Sequence, residues 1–266
     1  MKTLLLSIAM MASFGTCHAQ KTLVLYYSES GTTKTVAEEL QKQLNADIEG
    51  IECVTPYTGN FQETIQRGQK EAQSGEWPEL KPLKKKISDY DVIFLGYPIW
   101  FGTCANPIFS LLKDNDFAGK TIVPFCSFGS GGLNTSTDAL KKALPKAKFV
   151  EGYGVRQARV ESAAKEIDRF LKVSGFKKGT VAPLPDFSAQ QPVTEEEKAI
   201  FSAACSSYQM PLGTPSTVGK RETPDGTEYQ FKVKSRGFDG QEATSTIYVI
   251  AGKEPGAKPE FTQVVR

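Results

Sequence analysis

The sequence predicts a doubly wound α/β domain with a five-stranded parallel sheet, followed by a small α+β domain with one helix on an antiparallel sheet. From residue 21 onward, short apolar runs alternate with segments of helical periodicity, as in strands that helices cover on both faces. Residues 179–192 contain three prolines, which is typical of a linker. Beyond the linker, one helical segment precedes four strand-like runs that turn residues separate.

In the first domain, each apolar run is followed by a segment whose apolar residues lie three or four positions apart. The predicted strands are 22–27, 48–54, 92–97, 121–126 and 148–153, and the predicted helices are 33–44, 61–73, 107–112, 137–144 and 162–172. In the second domain, the predicted helix spans 193–208 with Thr194 as its N-cap. The predicted strands there are 216–222, 229–235, 245–250 and 261–265, with turns at 224–226, 238–240 and 254–256.

The N-terminus has the pattern of a secretory signal peptide over residues 1–19. Lys2 precedes an apolar stretch, 4–14, that is too short to span a bilayer, and Cys17 and Ala19 fit a cleavage site. The pattern predicts export to a bacterial periplasm, with a mature form that is soluble or at most lipid-anchored. Two alternatives stay open: a lipoprotein cleaved before Cys17, and a buried N-terminal element.

The composition excludes several kinds of chemistry. With 39% hydrophobic and 23% charged residues, a net charge of +2 and no basic stripe, the chain is typical of a globular protein that does not bind nucleic acid. The one histidine, His18, lies in the predicted signal peptide, so the mature chain would lack His-dependent catalysis and His-ligated metals. We expect no metal site. The remaining cysteines are predicted to be buried free thiols, although their even number also allows disulfides: Cys53, Cys104, Cys126 and Cys205.

The first candidate site segment follows the first predicted strand, because ligands of open parallel sheets bind at the carboxyl ends of the strands. Hydroxyl side chains and a glycine stand there at the start of a helix, an arrangement that suits a phosphate. These residues are Ser28, Ser30, Gly31, Thr32, Thr33 and Lys34. The same residue types also serve as simple helix caps. The segment has neither the P-loop ending nor the three-glycine dinucleotide pattern.

The third and fourth strands end in segments that suit a planar ring. After the third strand come aromatic residues that either stack on a ring or cover the edge of the core: Tyr97, Pro98, Ile99, Trp100, Phe101 and Gly102. After the fourth come glycines that let the backbone approach a ligand closely, or that form a plain loop: Ser127, Phe128, Gly129, Ser130, Gly131 and Gly132. Together with the phosphate segment, these features describe a phosphorylated aromatic cofactor.

Residues 21–175 resemble the flavodoxin-like FMN-binding proteins of bacteria. The phosphate loop of that family is matched by Ser28, Ser30, Gly31 and Thr33. Trp100, within a Gly-Tyr-Pro-Ile-Trp segment, matches the tryptophan that packs on the isoalloxazine. The resemblance implies a sheet of order 2-1-3-4-5 with FMN between strands 1 and 3. Trp100 and Phe128 are the candidates to flank its ring. The implied FMN-binding domain covers residues 20–178.

The chain departs from this family in two ways. Residues 21–185 hold 22 basic and 19 acidic residues, a net charge of +3, whereas electron carriers of the family are markedly acidic. The segment 127–132 also lacks the tyrosine that many members place over the outer flavin face, and an uncovered face would admit a substrate. Residues 193–266 resemble cystatin-like domains but lack the Gln-x-Val-x-Gly inhibitory signature, which favours a docking module over a protease inhibitor.

The expected function is that of an exported FMN-binding protein that carries electrons through its flavin. Its partner would be a redox protein or a small quinone-like acceptor. No catalytic side chain is required, because the flavin supplies the redox chemistry. Two alternatives stay open, and with them the question of whether the protein is an enzyme. One is an FMN-dependent NAD(P)H:quinone-type reductase, and the other is a non-catalytic exported binding protein whose flavin site has lapsed.

Overall fold

The computed structural model describes residues 20–57, 60–210, 212–236 and 242–265. The predicted signal peptide, 1–19, and the turn predicted at 238–240 lie outside the described residues. Within these ranges no helix is both long enough and apolar enough to cross a membrane.

The first domain is a mainly parallel sheet with helices on both faces. Its strands are β1 (Thr22–Tyr26), β2 (Asp47–Gly50), β3 (Val92–Trp100), β4 (Thr103–Cys104), β5 (Thr121–Phe128), β6 (Lys148–Phe149) and β7 (Tyr153–Arg156). Its helices are α1 (Thr32–Leu44), α2 (Phe61–Ser74), α3 (Asn106–Asp114), α4 (Leu133–Ala143) and α5 (Ala163–Val173). The order is β2-β1-β3-β5, with β6 and β7 both paired to the outer side of β5, which confirms the predicted 2-1-3-4-5 arrangement.

The parallel strands are apolar because both of their faces are buried. In β1, Leu23 and Leu25 pack on one face in a core that includes residues of α3 and α4. Val24 points to the other face, where α1 and α5 cover the sheet. A half-exposed strand alternates apolar and polar residues, whereas a strand buried on both faces is a continuous apolar run. The sequence predicts these strands because they are of the second kind.

The predicted fifth strand, 148–153, is wrong as a single strand. The structure has two short strands there, β6 and β7, which pair with opposite ends of β5. Pro124 of β5 lies opposite the interruption, since a Cβ on Gly152 would come within 2.5 Å of the Pro124 carbonyl oxygen. Proline has no amide hydrogen to donate to a neighbouring strand, which explains why the pairing breaks at this point.

Three other boundaries differ from those predicted. The second strand ends at Gly50, and Cys53 forms only an isolated bridge with Leu80. Helix α4 begins at Leu133, four residues before its predicted start. Strand β3 continues to Trp100 and pairs back with β4. The segment expected to be an open loop at 97–102 is therefore a β-hairpin.

The second domain is one helix on an antiparallel sheet, as predicted. Its elements are β8 (Gln191–Pro192), α6 (Glu195–Cys205), β9 (Thr214–Glu222), β10 (Gly226–Arg236), β11 (Glu242–Gly252) and β12 (Glu260–Val265), with sheet order β12-β11-β10-β9-β8. Thr194 caps α6: its hydroxyl accepts from the Glu197 amide at 3.3 Å, and the Glu197 carboxylate accepts from the Thr194 amide at 2.9 Å. The last residues of the predicted linker pair with this sheet, through β8 and the Ser188 amide.

The four cysteines of the described chain are free thiols. Cys53, Cys104 and Cys126 are buried in the core of the first domain, and Cys205 is half-buried on α6. Burial raises the pKa of the Cys53 thiol to about 11 and that of Cys104 to about 12. These thiols are therefore protonated and weakly nucleophilic at neutral pH.

Packing explains why the Gly-Tyr-Pro-Ile-Trp segment begins with glycine. Gly96 on β3 pairs with Phe125 on β5, and a Cβ on Gly96 would lie 2.0 Å from the Phe125 ring. The ring is fully buried and has no room to move aside. Only glycine therefore fits at this position of β3.

We predict that Gly96→Ala lowers the free energy of unfolding by about 1–3 kcal/mol, because it overpacks the centre of the sheet. Denaturant titration of the mature chain measures this change. The double variant G96A/F125L should recover part of the loss, since leucine is smaller than the ring it replaces. Unchanged stability in Gly96→Ala would show that the Phe125 ring does not occupy this space.

Candidate functional site

The three segments predicted to bind a ligand meet at one edge of the first sheet. We refer to residues 28–34, 97–102 and 127–132 as the first, second and third loops. The hydroxyls of Thr33 and Ser127 lie 2.7 Å apart and join the first loop to the third. Trp100 joins the second loop to the end of β1, since its ring centroid lies 5.9 Å from that of Tyr27. The structure therefore brings the three predicted segments together.

The first loop presents the N-terminus of α1. Gly31 is the N-cap residue with a φ of 88°, and it has no side chain with which to cap the helix. The first amides of a helix have no partner within it, and the helix dipole favours an anion there. The Ser28 hydroxyl accepts from the Lys34 amide at 3.2 Å, and the exposed Ser30 hydroxyl lies 3.3 Å from that of Thr32. Amides and hydroxyls converge here as a phosphate requires.

Thr33 and Lys34 of the first loop have different roles, which the sequence does not distinguish. The Thr33 side chain is buried and its hydroxyl bonds to Ser127, so Thr33 ties two loops together. The Lys34 ammonium lies 3.7 Å from the Glu38 carboxylate, and both side chains are more than half exposed. An exposed pair of this kind contributes little stability, so Lys34 is available to a bound anion.

The second loop divides into a buried part and an exposed turn. Tyr97 is fully buried and its hydroxyl lies 3.1 Å from that of Ser136, so its side chain belongs to the core. Pro98 and Ile99 lie within β3. The turn itself consists of Phe101 and Gly102, with φ angles of 51° and 80°. The Phe101 ring is half exposed, so it is accessible to a planar ligand.

Trp100 belongs to an aromatic cluster, which we define as Tyr27, Tyr57 and Trp100. The Trp100 ring meets both tyrosine rings edge-on, at 5.9 Å and 4.9 Å between centroids. This T-shaped geometry is one of the two that aromatic pairs prefer. Trp100 is half-buried, whereas both tyrosines are buried. The cluster therefore fixes the orientation of the one tryptophan at the site.

The tyrosine hydroxyls of the cluster donate hydrogen bonds to carboxylates. Tyr27 donates to Glu29 at 2.5 Å, and Tyr57 donates to Glu71. Burial raises the pKa of both tyrosines well above the ordinary value, and the two carboxylates raise it further. Both hydroxyls are therefore protonated at neutral pH and act as donors. The Arg67 guanidinium lies over the Tyr57 ring at 4.0 Å, which fixes this side of the site.

In the third loop, the first two side chains are buried and the backbone after them is exposed or partly exposed. Ser127 and Phe128 are each only 5% exposed, which does not suit the predicted role of Phe128 beside a flavin ring. Phe128 packs in the core of the first domain. Gly129 is exposed, and its carbonyl accepts from Arg156 Nε at 2.8 Å. The third loop thus offers a ligand its main chain.

Sequence reasoning missed Tyr57 and Arg156 as site residues. Arg156 ends β7, so the rule that selected the three loops, the carboxyl end of a parallel strand, also applies to it. Tyr57 follows β2 after six residues of irregular chain, and no motif marks it. Its place in the aromatic cluster depends on the tertiary structure.

The residues present fit FMN. A Cβ placed on Gly31, Gly102 or Gly129 would meet no atom within 4 Å, so each of the three loops borders open space. The first loop supplies hydroxyls, amides and a lysine for a phosphate, and the second supplies half-exposed aromatic rings. In the described part of the chain, no three His, Cys, Asp or Glu residues are grouped to hold a metal ion.

The fold and the three loops define a flavodoxin-like flavoprotein. The flavodoxin family model matches residues 21–171, and the chain therefore belongs to the flavodoxin family. This membership confirms the resemblance read from the sequence and supports FMN as the cofactor. A search of curated proteins finds no match to the chain.

Solved structures of bacterial flavoproteins are similar to the first domain. A protein from Bacteroides eggerthii assigned as a flavoprotein is 31% identical, with a TM-score of 0.53, over 59% of this chain and 98% of its own. One from Bacteroides uniformis, also assigned as a flavoprotein, is 27% identical, with a TM-score of 0.51, over 56% of this chain and 98% of its own. A flavoprotein from Lactobacillus acidophilus, solved in complex with FMN, is 22% identical, with a TM-score of 0.46, over 55% and 99% of the two chains.

We predict that Ser30→Ala weakens FMN binding by about 1–2 kcal/mol and leaves riboflavin binding unchanged, because riboflavin has no phosphate for this hydroxyl to bind. Thr33→Ala should weaken both ligands, since it cuts the bond between the first and third loops. Fluorescence titration of the mature protein with each ligand measures the four changes. Equal affinities of the wild-type protein for FMN and riboflavin would exclude the first loop from the site.

Proposed function

We propose that this protein is an exported FMN-binding electron carrier of the flavodoxin family. The observation that carries the proposal is the N-terminus of α1, which begins at Gly31, lies beside serine hydroxyls and is tied by Thr33 to the third loop. Membership of the flavodoxin family supports the same cofactor. The Bacteroides proteins similar to the first domain are also assigned as flavoproteins.

The residues of the three loops would share the work of holding the cofactor. Ser28, Ser30, Lys34 and the first amides of α1 would bind the phosphate. Trp100 and Phe101 would contact the ring, with the main chain of Gly102 and of residues 129–131 at its edges. When bound, FMN supplies the transfer of one or two electrons. The tyrosines of the aromatic cluster stay protonated at neutral pH, donate hydrogen bonds to Glu29 and Glu71, and pack against the Trp100 ring.

Export and the partner are part of this proposal. The charged residue, apolar stretch and small residues at 1–19 support a secretory signal, or the signal of a lipoprotein cleaved before Cys17. With its net charge of +3, the first domain favours an acidic or uncharged partner over a basic one. A redox protein with an acidic docking surface and a small quinone-like acceptor both meet that condition.

A second candidate is an FMN-dependent NAD(P)H:quinone-type reductase. The observation that favours it is the burial of Phe128, the one aromatic residue of the third loop. Without an aromatic side chain from this loop, a substrate would have access to the ring. The half-exposed Phe101 would lie at the edge of such an approach.

The visible absorption spectrum of the purified mature protein, before and after addition of FMN, tests the proposal. An electron carrier should bind one equivalent of FMN, accept electrons one at a time from a chemical reductant, and react slowly with NAD(P)H. Rapid two-electron bleaching by NAD(P)H would favour the reductase. Failure to bind FMN would contradict both and leave a binding protein with a lapsed flavin site.

Tryptophan fluorescence gives a separate prediction, because the chain has two tryptophans and only Trp100 lies at the site. Trp77 stacks on Phe109, with 4.8 Å between the ring centroids. FMN should quench about half of the tryptophan emission, as one of two emitters lies against the ring. Trp100→Ala should abolish most of the quench and weaken FMN binding by about 2–4 kcal/mol.

The control for this prediction is Trp77→Phe, which should leave the affinity unchanged and raise the quenched fraction of tryptophan emission from about half to nearly all, because Trp100 is then the one emitter left. Since Trp100 also packs on two tyrosines, Trp100→Ala should lower the melting temperature, and this is measured in the same samples. A lower melting temperature with an unchanged FMN quench would assign Trp100 to the core alone.

A further inference from the structure

We infer that the second domain completes the FMN site: strand β12 and Arg156 together hold the third loop in its binding position, with Arg156 as a positioning residue. The inference rests on the proposed function, because the third loop is the segment whose main chain would contact the flavin. It gives the second domain a role in the same site.

The first contact joins two backbones. Strand β12 is an edge strand that pairs only with β11. The Val264 amide of β12 donates to the Ser130 carbonyl oxygen of the third loop at 2.6 Å. A Cβ on Gly131 would lie 2.2 Å from the Val264 carbonyl oxygen. Gly131 therefore allows the third loop and β12 to touch. This contact explains the glycine at position 131 without any ligand.

The second contact is made by Arg156, whose side chain is buried between the two domains. Its Nε donates to the Gly129 carbonyl oxygen at 2.8 Å, and its Nη1 donates to the Phe261 carbonyl oxygen at 3.4 Å. The guanidinium also lies over the Phe261 ring, 4.4 Å from its centroid. One side chain thus connects the third loop to β12.

Arg156 differs from Arg159, a partly buried arginine at the same boundary. Its guanidinium forms no ion pair with any carboxylate in the described ranges, where Arg159 pairs with both Glu166 and Glu260. Burying a cation without an acidic partner is costly unless other groups satisfy its donors. Here carbonyl oxygens and an aromatic face do so, and one of those carbonyls belongs to the third loop.

The consequence is a third loop that is held at three successive points. Ser127 bonds to Thr33 of the first loop, and the carbonyls of Gly129 and Ser130 are held by Arg156 and Val264. A glycine-rich loop would otherwise lose much conformational freedom when it binds a ligand. A loop that is already ordered avoids that cost, and affinity increases accordingly.

Arg159 provides a matched control. It lies three residues after Arg156 and also bridges the two domains, with its Nε 2.6 Å from a Glu260 carboxylate oxygen and an Nη2 2.9 Å from Glu166. Its described contacts do not include the third loop. Arg156→Gln and Arg159→Gln therefore remove the same charge from the same boundary, and only the first releases Gly129.

The experiment uses the full mature chain and compares R156Q, R156K and R159Q with the wild type. Titration with FMN and with riboflavin gives affinities, and hydrogen exchange without ligand reports the Val264 amide and residues 129–132. We expect R156Q to weaken both ligands by a similar factor of about 10 to 100, because the third loop contacts the part they share. R156Q should also speed exchange at Val264 about tenfold or more. R156K keeps the charge but has a single donating nitrogen in place of two, and should fall between R156Q and the wild type.

R159Q should leave both affinities within about threefold of the wild type, in line with an ion pair that does not touch the third loop. Wild-type affinity and exchange in R156Q would overturn the inference, as would equal losses in R156Q and R159Q. If R156Q does not fold, the R156K variant provides the test. Wild-type affinities and exchange rates in R156K would then overturn the proposed role of the contact between Arg156 and the two carbonyl oxygens. If the wild type binds neither ligand, the proposed function fails, while the exchange rates still decide whether Arg156 and β12 order the third loop.

Discussion

The site depends on the parallel alignment of β1, β3 and β5 as neighbours in one sheet. Parallel strands end at the same edge, so the segments that follow them meet even though they are far apart in the chain. Thr33 and Ser127 are separated by 94 positions, yet their hydroxyls share a buried hydrogen bond at that edge. The alignment is stabilised by burial of both faces of these strands, with α1 and α5 on one side and α3 and α4 on the other.

Backbone amides and hydroxyl groups dominate the candidate phosphate site. The N-terminus of α1 carries partial positive charge from its unpaired amides, and Ser28 and Ser30 add polar groups beside it. The tyrosines next to Trp100 are held in their protonated form by burial and by the carboxylates of Glu29 and Glu71. Their hydrogen bonds orient an aromatic surface. Such an arrangement offers polar groups to a phosphate and an aromatic surface to a planar ring, in line with membership of the flavodoxin family.

The two domains are separate in the sequence, but their residues are in direct contact in the structure. The second domain has its own core, built from α6 and the antiparallel sheet. Its edge strand β12 nevertheless reaches the third loop of the first domain, and Arg156 and Arg159 connect the two. An edge strand has unpaired backbone groups that require partners. Here one of those partners is the Ser130 carbonyl, which links the packing of the second domain to the geometry of the site.

The sequence by itself determined the strand and helix pattern, the order of the sheet, the three loops and the capping of α6 by Thr194. The pattern, the loops and the cap follow from local residue patterns and from the rule that parallel strands end at one edge, whereas the order of the sheet follows from the resemblance to flavodoxin-like proteins. The tertiary structure alone decided which side chains of the loops are accessible. Tyr97, Phe128 and Thr33 are buried there, and the fifth strand breaks opposite Pro124. Tyr57 joined the site only in three dimensions, and so did the contacts of Arg156 with the third loop, because burial and contact depend on residues that are distant in the chain.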